Sequence, residues 1–170
     1  VNAAVAPYLD EYPLPNGPNL GGGLANHVFL FDQTLQQHFL QGRVDYNPSA
    51  TSQLFARYTI DDANQLLPTD YPQFPRTFFS RNQFFTGEYR RVMSERTLGT
   101  LRVGYSRTKL GQNVQSNTSQ ALAPFVPGRP YMGGIDIGGI PGRFGPQTSA
   151  NLRLAQDVYS GQLEVVHSRG

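Results

Sequence analysis

The sequence predicts an all-β fold, in which antiparallel strands form part of a transmembrane β-barrel with short periplasmic turns and long extracellular loops. Three observations carry this expectation. Five stretches alternate apolar with polar or charged side chains, the period of a strand whose side chains point to opposite faces in turn. The links between those stretches run short, long, short, long, as in membrane barrels, whereas compact soluble sheets rarely carry structureless loops of that length. Finally, one face of each stretch presents Leu, Val and Tyr while the other presents Arg, Asp, Glu and amides. Lipid outside and a wet lumen inside satisfy both faces at once.

Residues 1–37 read as an irregular connector, because prolines and glycines crowd the stretch VNAAVAPYLDEYPLPNGPNLGGG. Within it, His27 to Phe31 fits a short strand, and DQTLQQHFLQ alone fits a helix. Residues 38–170 read as a partial barrel. The first strand, His38–Asn47, sets Leu40, Val44 and Tyr46 against Gln41, Arg43 and Asp45. The second, Gln53–Asp61, sets Leu54, Ala56, Tyr58 and Ile60 against Phe55, Arg57, Thr59 and Asp61. The third, Asn82–Met93, sets Phe85, Tyr89 and Met93 against Phe84, Glu88 and Arg90. The fourth, Leu98–Lys109, sets Leu101, Val103 and Tyr105 against Thr100, Arg102 and Ser106. The fifth, Leu154–His167, sets Tyr159, Leu163 and Val165 against Ser160, Gln162 and Glu164. Short turns join the first pair and the third to the fourth. Loops of roughly twenty and forty residues are expected for the other two links, against a usual median of about 4–6. Five strands are too few to close around a wide lumen, so the chain reads as a piece of a larger barrel.

Composition narrows the function classes. The 170 residues carry 18 glycines and 13 prolines, which favours turns over helices. A net charge of +2 with no basic run gives no footprint for nucleic acid. There is no cysteine, which removes disulfides, thiolate nucleophiles and Cys-bound zinc. No apolar run is long enough for a membrane-spanning helix, which says nothing against strands.

The motifs GRVDYNPSATSQLFARYTIDD, LPTDYPQFPR, EYRRVMSERTLGTLRVGYSRT and GRFGPQTSANLRLAQDVYSGQLEVVHSRG, in that order, resemble TonB-dependent outer-membrane receptors of the Oar-like, acidobacterial type. The opening VNAAVAPYLDEYPLPNGPN is similar to the segment that links the plug domain to the barrel in that family. The resemblance implies a location in the bacterial outer membrane and a large barrel plugged by an N-terminal domain. It also implies energy from the TonB system for uptake of an oligosaccharide, peptide or chelate. The implied partners are outer-membrane lipid, the plug, TonB and an unknown substrate. The alternative from the residues alone is a β-rich surface module that binds polysaccharide or protein through its long loops.

No constellation points to an enzyme or a cofactor. His27, His38 and His167 lack metal-ligand spacing. Asp61-Asp62 and Asp10-Glu11 are sequence neighbours, and in a strand such neighbours face opposite ways, which makes them poor acid–base partners. The glycine-rich MGGIDIGGIPGRFG lacks the Lys-Ser/Thr of a phosphate loop. Arg43, Asp45, Arg57, Asp61, Glu88, Arg90 and Arg102 are expected to face the lumen and to form cross-strand ladders. Tyr71, Phe74, Arg76, Phe125, Arg129, Tyr131 and Arg143 are the candidate substrate contacts, since loop aromatics and arginines are favoured at binding surfaces.

Overall fold

The computed structural model describes residues 3–147 and 151–169. A helical turn, α1 (Ala6–Leu9), and a small hairpin, β1 (Asn19–Gly21) with β2 (Leu24–Ala25), interrupt the opening segment. Five long strands follow: β3 (Leu35–Ser49), β4 (Ser52–Leu67), β5 (Arg76–Ser94), β6 (Thr97–Val114) and β7 (Arg153–His167). They form one sheet in the order β3-β4-β5-β6-β7. Spatial order equals sequence order, the meander of an up-and-down barrel wall. The sheet is open, with β3 and β7 at its edges; in hydrocarbon those edges require pairing by further strands.

All five expected strands are present, and each is longer than its alternation indicated. β4 continues through Leu67 and β5 begins at Arg76, so the link between them is 68–75 rather than about twenty residues. The added ends, DANQLL of β4 and RTFFSR of β5, do not alternate apolar with polar. Beyond the bilayer both faces meet water, so backbone pairing continues without a side-chain period to mark it. The ambiguous DQTLQQHFLQ resolves as the start of β3, and 26–34 carries no regular structure.

The turns at 50–51 and 95–96 have local causes. Thr51 N–H donates to Ser49 Oγ at 3.3 Å, and Arg96 N–H to Ser94 Oγ at 3.3 Å. Each serine thus supplies the acceptor that a tight turn otherwise lacks.

Register fixes the faces. β6 and β7 pair Leu101 with Leu163, Val103 with Gly161 and Tyr105 with Tyr159, and on the other face Thr100 with Glu164 and Arg102 with Gln162. Directly opposed residues share a face, so in these pairs apolar meets apolar and polar meets polar. From the turn outward, one face of β6 reads Leu101, Val103, Tyr105, Arg107 and Lys109. Tyr105 and Tyr159 lie 5.0 Å apart at the change from apolar to charged, with Arg107 opposite Asp157 beyond them. Apolar band, aromatic level and charged rim follow one another as on the lipid face of a barrel.

The chain gathers into two compact units. One comprises Gln36–Asn64, Phe79–Gly111 and Arg153–Gly170, the body of the sheet with its tight turns. Among the described residues this unit buries no large apolar side chain; Val44 is 69% exposed and Leu163 72%. A water-soluble sheet must cover one face with a core, and this one covers neither. Thr100 is buried instead, so the polar face is more crowded there than strand alternation alone indicates.

The other unit comprises Val1–Leu35, Gln65–Phe78 and Gln112–Leu152. Among the described residues, the buried hydrophobic ones, Tyr71, Phe74, Val114, Met132 and Phe144, all belong to it. Along the chain its segments precede β3, link β4 to β5 and link β6 to β7.

Candidate ligand-binding site

The loop unit is ordered by a small aromatic core. Phe144 is fully buried, stacks on Tyr12 at 4.2 Å, and meets the edges of Tyr71 and Phe74 at 5.1 and 5.0 Å. An isolated bridge holds Phe144 in place, with Ile135 N–H donating to its carbonyl at 2.8 Å and Phe144 N–H to Ile135 O at 3.0 Å. Gly145 follows at φ 132°, and a Cβ there would run into the backbone of Gly133. Only glycine permits that close approach.

Glu11 ties the opening segment to the longest loop. Its Oε1 accepts from the Ser119 hydroxyl at 2.5 Å and from Gln120 N–H at 3.1 Å, and its carbonyl accepts from Gln73 Nε2 at 2.8 Å. Burial alone would raise the Glu11 carboxyl, but the hydrogen bonds from Ser119 and Gln120 outweigh it and hold the group below its ordinary 4.5. A lowered folded pKa stabilises the unit above the unfolded value, and that contribution is lost as pH falls through the folded one. Limited proteolysis of the intact protein should therefore cut within 115–152 faster as pH drops below about 4.5. In Glu11→Gln that acid sensitivity should be reduced.

The structure divides the expected substrate contacts. Tyr71 and Phe74 are not exposed loop aromatics; they are buried in the core just described. Arg76 opens β5 with its guanidinium 5.0 Å from the Phe78 ring centre. Phe125 is half exposed and stacks on Tyr8 at 4.9 Å. Arg129 and Tyr131 come together on one cavity wall, where Tyr131 Oη accepts from Asn151 Nδ2 at 2.8 Å. Arg143 lies 3.9 Å from Asp136.

Residues of the opening segment that sequence patterning did not single out line a second cavity, of about 360 Å³. Tyr12, His27, Asp70, Tyr71, Ile140 and Pro141 are among its walls. Burial first pushes both tyrosine hydroxyls above 10.0; Tyr71 and then Asp136 add to the effect on Tyr12, and Asp70 adds to it on Tyr71. The stretch EYPLP, with a tyrosine set among prolines, was the available signal for this wall.

On the sheet, most of the polar-face charges have polar partners. Arg43 pairs with Asp45 at 2.6 Å and lies 4.3 Å over the Phe55 ring. Glu88 holds Arg102 at 2.5 Å and Arg90 at 3.3 Å, and Asp61 accepts from Gln37 at 2.8 Å. Asp62, facing the other way, pairs with Arg81. Arg57 is exposed and has no ion-pair partner among the described residues. A recess of about 380 Å³ beside Arg43, Asp45, Glu88 and Arg90 is lined by these paired groups.

A polar face laced with ion pairs, an uncovered apolar face and alternating link lengths agree with a comparison of the whole chain. The family model for an outer membrane beta barrel domain matches residues 1–170. The chain belongs to that family. The barrel domain therefore lies in the bacterial outer membrane. No curated protein and no solved structure matches it. In an outer-membrane barrel short turns are periplasmic and long loops extracellular. The longer links, between β4 and β5 and between β6 and β7, are accordingly the extracellular ones.

Proposed function

We propose that this barrel domain is part of an Oar-like, TonB-dependent receptor that takes up a scarce or bulky solute across the outer membrane. The observation that carries the reading is the ordered loop unit. Ligand capture at an outer-membrane receptor needs loops whose conformation is set before binding, since ordering them on contact would cost affinity. A core of Phe144, Tyr12, Tyr71 and Phe74 sets them. The four motifs that resemble the family, in the family's order, support the finer assignment. The alternative of a water-soluble adhesion module is disfavoured by a sheet that leaves Leu101, Val103, Leu163 and Val165 exposed along one face.

The test is direct binding of the full-length protein, folded in detergent, to the purified periplasmic domain of TonB from the same cell. Saturable binding in surface plasmon resonance is expected. An absence of binding by a correctly folded barrel overturns TonB dependence.

A further inference from the structure

We infer that the cavity formed by the opening segment, the 68–75 loop and the 115–152 loop is a binding site for an organic cation. The ligand is a primary amine or guanidinium carried on an apolar stem, such as a basic side chain of a peptide. The proposal goes beyond the uptake reading, since it needs only the loop unit and would hold for a barrel that works without TonB.

Four features point to this chemistry. The cavity volume of about 360 Å³ lies within the range of small-ligand sites. Its lining is largely apolar and aromatic, with Leu20, Leu24, Ile140 and Pro141 alongside the two tyrosines, so an alkyl stem is covered on entry. The Tyr12 ring is backed by Phe144 at 4.2 Å and fixed in orientation, which preorganises an aromatic face for a cation. Asp70 lines the cavity, is exposed, and has neither a hydrogen-bond nor an ion-pair partner among the described residues. No lysine or arginine lines the cavity, and Arg143 is drawn off by Asp136 at 3.9 Å. An anionic ligand would meet the Asp70 carboxylate with nothing to offset it, while an ammonium or guanidinium would pair with it.

His27 also lines the cavity, and its Nδ1–H donates to the Leu14 carbonyl at 2.8 Å. Gly142, at φ 87°, lets the loop pass close to Asp70, and a Cβ there would lie 2.9 Å from the Asp70 Cβ.

The experiment uses the full-length protein in detergent and two tripeptides, Ala-Arg-Ala and its neutral isostere Ala-citrulline-Ala, both with blocked termini. Isothermal titration calorimetry is expected to show the arginine peptide bound at least about tenfold more tightly than the citrulline peptide. Asp70→Asn is expected to remove most of that preference, chiefly by weakening binding of the arginine peptide. Among the described residues Asp70 makes no hydrogen bond or ion pair that the substitution would break, and protease resistance of the loops in the variant verifies that they remain folded. Equal binding of the two peptides by the native protein overturns the proposal, as does an undiminished preference in Asp70→Asn, or no binding of either peptide. None of these outcomes bears on TonB binding, so the two readings fail separately.

Discussion

Replacing Val103 with arginine is expected to destabilise the folded barrel by about 2–4 kcal/mol, the penalty for a cation on the lipid face near mid-bilayer. Val103 pairs with Gly161 and sits between Leu101 and Tyr105 on the uncovered face of β6. Nothing beside it can neutralise the new charge, because the acidic residues of β6 and β7 lie either beyond Tyr159 or on the opposite face. Gln41→Arg supplies the contrast. Gln41 shares the polar face of β3 with Arg43 and Asp45, and water there solvates an added guanidinium, so a change within about 0.5 kcal/mol is expected. Thr100, on the same polar face, is a poorer contrast because it is buried. Urea titrations of the protein folded into lipid vesicles measure both effects. Equal cost at positions 103 and 41 would show that the faces are assigned wrongly.

The second large effect belongs to the loops. Phe144→Ala removes the side chain around which Tyr12, Tyr71 and Phe74 pack, and truncating a buried phenylalanine costs about 3–5 kcal/mol. The loss should fall on the loop unit alone. The aromatic partners of Phe144, namely Tyr12, Tyr71 and Phe74, all belong to the loop unit, so the barrel should keep its resistance to unfolding by detergent. Hydrogen exchange should quicken across 68–75 and 115–152 while β4, β5 and β6 remain protected. Binding at the Asp70 cavity should weaken as well, since Tyr12 loses its backing.

The strands were legible in the sequence and the loop unit was not, for physical reasons. Within the bilayer each strand must present apolar groups to lipid and polar groups to water, so GRVDYN and LRVGYS announce both their period and their faces. The outer ends of β4 and β5 escape that constraint and were read as loop. Tyr71 and Phe74 illustrate the opposite failure. An aromatic in a long loop looks the same in sequence whether it awaits a ligand or packs against Phe144, some seventy residues away in the chain. What separates the two cases is contact between distant segments, which no local pattern records. The pairing of Glu11 with Ser119 and Gln120 was hidden for the same reason. The polar-face charges fall between these cases. Their face followed from alternation, and their partners, Glu88 with Arg102 above all, required the register.

The central claim is that one face of this sheet meets lipid and the other meets water. Because the sequence has no cysteine, single cysteines can be placed at 101, 102, 103, 162 and 163 and nitroxide-labelled without background. Electron paramagnetic resonance in vesicles then reports collision with oxygen, which is enriched in lipid, and with a water-soluble nickel chelate. Labels at 101, 103 and 163 should favour oxygen, and labels at 102 and 162 should favour nickel, with the preference reversing at each step along β6. Uniform access of the nickel chelate to all five positions would contradict the account.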